Sequence, residues 1–232
     1  MSSSSSTEFW AGMLLILAPI WFNVTFALLA KRFEYPSVLR LPTEEILERF
    51  RQGGSSLILL WWAFMLSGLL MIGAVVLLST SLGFGPLVVL ATVIGVLAGL
   101  VQMLGLIRWV YLVPSLARSY FDPEASQSQR DADTAVFRAF HQLLGVGVGE
   151  HLGYLFTGLW SMLVGAAIWE GSALPTWLAF PGIVIGLGLA LGSAEFLGPN
   201  EERGWKLAGA AVPFLYIAWS LWLVALGIAL LV

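Results

Sequence analysis

Both histidines of the chain, and an acid adjacent to one of them, stand in the run from Arg138 to Trp169, RAFHQLLGVGVGEHLGYLFTGLWSMLVGAAIW, which is otherwise apolar and helical in pattern. A charge in such a setting has to be neutralised, paired or hydrated, so Glu150 and His151 mark the place where a specific site would be built. Arg108 and Glu195 fall in two other apolar runs. An ionised side chain at the centre of a membrane helix costs about 2.5–3.5 kcal/mol, so retained charges need partners. Arg108 beside Glu150 or Glu195 would hold that acid ionised, and imidazole is the side chain that exchanges a proton near neutral pH. Glu150, His151, Arg108 and Glu195 therefore read together as a site for a proton, a small polar ligand or a lipid headgroup. A plainer reading stands beside this for two of them. Arg108 can snorkel to the headgroups, and Glu195, close to Gly198 and Pro199, can reach water.

Catalytic residues are not identified by any motif. Two acids and an imidazole suffice for general acid–base chemistry, but there is no G-x-S-x-G, no H-E-x-x-H, no P-loop and no dinucleotide fingerprint. The chain has no cysteine, which removes disulfides and thiolate metal sites. On an α-helix, His141 and His151 differ in direction by about 280°, which keeps them from sandwiching one haem. The only lysines, Lys31 and Lys206, sit at helix ends rather than where a retinal Schiff base would form. No cofactor and no metal is expected.

The elements that must position these side chains follow from composition. Of 232 residues, 59% are hydrophobic and 11% charged, against roughly 25% charged in an ordinary soluble domain, and the mean hydropathy is +0.88. These values describe an all-α, polytopic membrane helix bundle forming one transmembrane domain over 1–232. The net charge of −3 gives no ground for a nucleic-acid partner. The opening MSSSSSTE has no basic segment before its apolar run, so the first helix is expected to be retained and the serines to form a short disordered tail.

A bilayer core needs about 20 apolar residues per crossing, and six runs qualify: about 9–30, 56–78, 87–113, 143–168, 178–197 and 207–232. Every lysine and arginine lies at or near one set of alternate helix ends, from Lys31 to Arg51, from Arg108 to Arg138, and at Arg203 and Lys206. By the positive-inside rule these ends are cytoplasmic and both termini are outside. Trp10, Trp169 and Trp177 then fall near outer boundaries, and Trp109 and Trp205 near inner ones.

In the first cytoplasmic loop, TEEILERFRQGG predicts a short helix over 43–52, with Thr43 as N-cap, acids in its first turn and Gly53 beyond its end. Ile46, Leu47 and Phe50 share a face that either lies on the inner headgroups or packs against the second loop. That second loop offers Asp131, Asp133 or Thr134 as a cap for a helix running into the fourth span. From Ala135 to Ile168 such a helix is about 51 Å long, more than a bilayer core. Glu201, Glu202 and Arg203 read as a polar hairpin between the last two spans. Gly145, Gly149 and Gly153, Gly95 and Gly99, and Gly182, Gly186, Gly188 and Gly192 recur at close-packing spacings, which predicts that the third, fourth and fifth spans form a tight subbundle.

Two stretches, VGEHLGYLFTGLW in the fourth span and PFLYIAWSLWLVALGIALL at the end, resemble a bacterial family of six-helix membrane proteins catalogued as a domain of unknown function. The resemblance covers the second half of the chain. It implies a six-helix fold and a place in the bacterial inner membrane, and no activity.

Three functions remain open at this level. One is transport or sensing through an intramembrane site in the cytoplasmic half. Another is a structural or accessory subunit of a larger membrane complex, with glycine seams against partner helices or against copies of itself. The third is an enzyme acting on a lipid or isoprenoid. Membrane lipid is the partner common to all three.

Overall fold

Long apolar runs cannot leave backbone polar groups unpaired in lipid, so they form helices. The computed structural model describes residues 3–232, apart from the side chains of 3–5 and 201–202, and no strand occurs among the described residues. Six helices are long and apolar enough to cross a membrane: Ser6–Phe33, Thr43–Ser81, Pro86–Tyr120, Gln127–Gly171, Thr176–Phe196 and Lys206–Leu231. Within them, α1 is Ser3–Phe33, α2 Thr43–Ser81, α3 Pro86–Leu106, α4 Arg108–Tyr120 and α5 Gln127–Phe140. A π-helix spans His141–Leu152 and leads into α6, Gly153–Gly171. The chain closes with α7 Ala179–Gly192, the short α8 Pro199–Arg203 and α9 Lys206–Leu231. The chain is a multi-pass membrane protein.

Successive spans pack side by side, and α9 returns to α1, so α1, α2, α3, α6, α7 and α9 close a ring. The contacts are antiparallel. A Cβ at Gly12 would meet Gly227 O at 2.8 Å, and one at Gly165 would meet Ala179 O at 2.7 Å. All the cationic residues thus lie toward the end of the bundle where α1 finishes and α2 begins.

Two apolar clusters fill the ring. One gathers α2, α3, α6, α7 and α9 around Trp160, Trp222, Leu189 and Leu223. The other, at the cationic end, joins α1, α2, α4 and α5 around Trp61 and Trp109, whose rings stack 4.6 Å apart at 9°. Trp109 is fully buried and is no part of an aromatic belt, whereas Trp10, Trp169 and Trp177 are exposed.

Several expected boundaries change. The helix of 43–52 is the first part of α2, which bends at Gly54 (φ 56°, ψ −154°) instead of ending at Gly53. Ile46, Leu47 and Phe50 are buried in the second cluster with Phe137, so this segment packs on the second loop rather than on headgroups. Arg49 binds Glu34 at 2.8 Å and Glu45 at 2.7 Å, which pins the preceding loop to it. The helix feeding the fourth span starts at Gln127, capped by Ser126 and not by an aspartate or Thr134. The serines expected in a disordered tail belong to α1 from Ser3 onward. For the hairpin assigned to Glu201, Glu202 and Arg203, the backbone is the helix α8, and the two glutamate side chains lie outside the described residues.

The glycine seams are mostly as spaced but not as paired. Gly158 packs on Gly186, and Gly99 on Gly68 of α2. In the fourth span each glycine does something different. Gly149 meets Gly105, Gly145 accommodates Arg108, and a Cβ at Gly153 would meet nothing within 4 Å although the residue is buried.

Candidate intramembrane binding site

The π-helix sets the geometry. Its sequence HQLLGVGVGEHL holds three glycines in five residues, which weakens the ordinary i→i−4 ladder by about 1 kcal/mol per glycine and admits a wider turn. Side chains here do not follow a 100° step, so the α-helical rotation that separates His141 from His151 does not apply. They diverge nonetheless. The His141 ring stacks on Phe137, 5.8 Å away at 4°, whereas His151 Nδ1 lies 2.9 Å from Ser193 O.

Arg108 follows the break between α3 and α4 and is buried, 5% exposed. Its guanidinium is buried inside the bundle rather than extended from it. Nη1 donates to Gly105 O, Cζ lies 5.3 Å from the centroid of the Trp109 ring, and Nε is buried with no partner. Gly145 makes the room, since a Cβ there would stand 2.7 Å from Nη2.

Arg108 and Glu150 line the same cavity, about 140 Å³, between the two apolar clusters. They share it without a direct ion pair. The rest of its wall comes from α1, α2, α3, α6 and α9, with Phe22, Phe26, Phe64, Tyr154 and Tyr216 as its rings and Gln102 and Thr157 as polar groups. Tyr35, from the loop after α1, completes it. Glu150 also borders a second cavity of about 250 Å³ at the cationic end, lined by Pro36, Arg40 and His141. Glu150 is the one residue common to the linings of these two cavities.

Of the four residues singled out from sequence, the fold brings Arg108 and Glu150 to one cavity and sends the other two elsewhere. His151 ties the π-helix to the turn after α7 through Ser193 O. Glu195 is half-buried, faces Gly209 and takes a backbone hydrogen bond from Trp205. Among the described residues no group of three or more His, Asp or Glu side chains could hold a metal ion. Two other embedded polar side chains are paired: Asn23 donates to Pro19 O at 2.7 Å and Ser220 Oγ at 3.0 Å, and Gln102 donates to Ser67 Oγ at 2.9 Å.

The residues that sequence reasoning passed over are the cavity tyrosines. Three of the five tyrosines in the chain, Tyr35, Tyr154 and Tyr216, line it. Two of those, Tyr154 and Tyr216, sit inside apolar spans, where a phenol needs a polar neighbour. That placement was the available signal.

Fold and cavity together define a six-span membrane protein enclosing one charged, aromatic-walled chamber. Residues 10–227 match the family described as Domain of unknown function (DUF4386), and the chain belongs to it. The match runs through both halves of the chain, wider than the two stretches that carry the resemblance. No curated protein and no solved structure matches the chain.

Proposed function

We propose that the chamber between Arg108 and Glu150 binds a small polar ligand, and that the protein transports or senses that ligand. One observation carries this reading: a buried cation and an acid face one cavity from different elements without neutralising each other directly. Holding two unpaired charges in a low-dielectric interior is costly, and a ligand that pairs with them offsets that cost. The glycine seams support this reading over an accessory subunit, because Gly68, Gly99, Gly158 and Gly186 are occupied by contacts within the chain. By the positive-inside rule the cationic end faces the cytoplasm of a bacterium, both termini face outward, and the second cavity connects Glu150 to the cytoplasmic side.

The absence of cysteine permits a clean test. Thr157→Cys places a thiol on the cavity wall, and Leu189→Cys places one in the dry apolar cluster. In proteoliposomes, a small charged methanethiosulfonate should modify Thr157→Cys about tenfold faster or more, a barrier difference of about 1.4 kcal/mol. Equal rates would mean that no polar solute reaches the chamber, and the reading would fall.

A further inference from the structure

Resting on the internal binding site just described, we infer that its ligand is a small zwitterion: a methylated ammonium joined through a short linker to a carboxylate or phosphate.

The chamber wall contains one cation, Arg108, one acid, Glu150, and no other formal charge. A simple anion would pair with Arg108 and leave Glu150 facing it. A simple cation would do the reverse. Each case leaves one of the two groups without its partner in a buried setting, an acid that must take up a proton or a guanidinium that must be hydrated. A molecule carrying both signs satisfies both walls, and a carboxybetaine or a phosphodiester does so with no net charge, whereas a phosphate monoester such as phosphocholine keeps about one negative charge.

The anionic end is assigned by the guanidinium. Arg108 spends Nη1 on Gly105 O and keeps a buried Nε with no partner. An Arg fork with donors to spare matches a carboxylate or phosphate oxygen pair. The cationic end is assigned by the rings. Tyr154 and Tyr216 lie 5.4 Å apart, Phe22 continues the wall 6.3 Å from Tyr216, and Phe64 lies 5.1 Å from Phe22. Tyr35, Tyr154 and Tyr216 line the same cavity as Glu150. Aromatic faces grouped beside a carboxylate are the surroundings that recognise a methylated ammonium, whose charge is spread over carbon and needs no hydrogen-bond acceptors. A primary ammonium would need three acceptors. Apart from Glu150, the side-chain acceptors on the wall are the Gln102 amide oxygen and the Thr157 and tyrosine hydroxyls, and Thr157 and Tyr216 already bond to each other.

Size agrees. The cavity of about 140 Å³ is close to the roughly 150 Å³ that admits one benzene-sized molecule, which fits a compact solute or a headgroup. The same chemistry occurs in free solutes and at the end of a phospholipid, so the test must separate the two.

The full chain carrying Thr157→Cys, purified in a maltoside, is labelled with the same thiosulfonate in the presence of glycine betaine, phosphocholine, dihexanoylphosphatidylcholine, choline chloride or inorganic phosphate. Thermal unfolding of the wild type with the same five additives gives a readout independent of the cysteine. The expected result is protection and a raised Tm with betaine or phosphocholine, with choline and phosphate needing about tenfold higher concentration or more. Protection by dihexanoylphosphatidylcholine alone also supports the zwitterion and assigns it to a lipid headgroup. Glu150→Gln should weaken the zwitterions and improve phosphate, and Tyr154→Leu should weaken the zwitterions while leaving phosphate unchanged. Phosphate protecting as well as the zwitterions, or none of the five protecting a reactive cysteine, overturns the zwitterion and leaves the internal site standing. An unreactive Thr157→Cys overturns both.

Discussion

Gly105→Ala is the substitution that probes how the site is held. Gly105 on α3 and Gly149 on the π-helix touch through their backbones, and a Cβ on Gly105 would stand 2.5 Å from Gly149 Cα and 3.0 Å from Leu144 O. Carbon atoms pack at about 3.5–4.0 Å, so the two elements must part by about 1 Å. Neither obstacle is a flexible side-chain tip, and overpacking of this kind costs about 1–3 kcal/mol. At about 2–4 °C per kcal/mol for a chain of this size, Tm should fall by several degrees in a maltoside. Gly153→Ala provides the contrast. Its Cβ meets nothing within 4 Å because Gly153 opens onto the cavity, and alanine gains about 0.5–1 kcal/mol of helix stability. This variant should be as stable as the wild type or slightly more so, while its methyl group takes roughly one water volume, about 30 Å³, from the chamber. Tryptophan fluorescence during thermal unfolding measures both. Equal Tm values for Gly105→Ala and the wild type would refute the backbone contact that positions Glu150.

Three further outcomes follow from the same contacts. Gly54→Ala should cost about 1–3 kcal/mol through backbone strain alone, since φ is 56° and ψ −154° there and nothing lies within 4 Å of a Cβ; unchanged thermal stability would argue against the bend in α2. Ser161→Ala should cost about 1–3 kcal/mol, because the Trp219 indole N–H donates to Ser161 Oγ at 2.9 Å in a buried setting and would lose its acceptor; unfolding monitored by fluorescence checks it. His151→Phe should remove the link to Ser193 O yet leave the labelling rate of Thr157→Cys within about twofold, an energy near 0.4 kcal/mol, since His151 is not on the cavity wall. A large change in that rate would return His151 to the site.

Much of the fold is legible in the sequence, because it rests on one requirement that leaves few alternatives. An apolar run of sufficient length has to be a helix in lipid, and six such runs between cationic ends and turn signals define six spans. The meeting of Arg108 with Glu150 is half legible: their types, their separate spans and their shared position near the cationic ends were visible, but not which acid the arginine would face. The rest is hidden for particular reasons. The π-helix over His141–Leu152 changes the angle per residue, so the directions of Glu150 and His151 do not follow from counting at 100° per residue. Gly105 pairs with Gly149 across a crossing that no spacing rule specifies, while the more regular Gly95 and Gly99 face Trp160 and α2. Trp109 sits at a sequence position suited to the headgroups, but stacking on Trp61 beneath the α5 segment buries it. Tyr35, Tyr154 and Tyr216 come from the loop after α1, from α6 and from α9, so only long-range packing of the spans brings them together.

A high-resolution experimental density map of the chain in lipid nanodiscs tests the central claim most directly. The internal site predicts Arg108 and Glu150 on facing walls of one chamber, with ordered density between them that bonds to both. A map in which the two side chains form a closed ion pair with no chamber, or in which either one faces lipid, would contradict it.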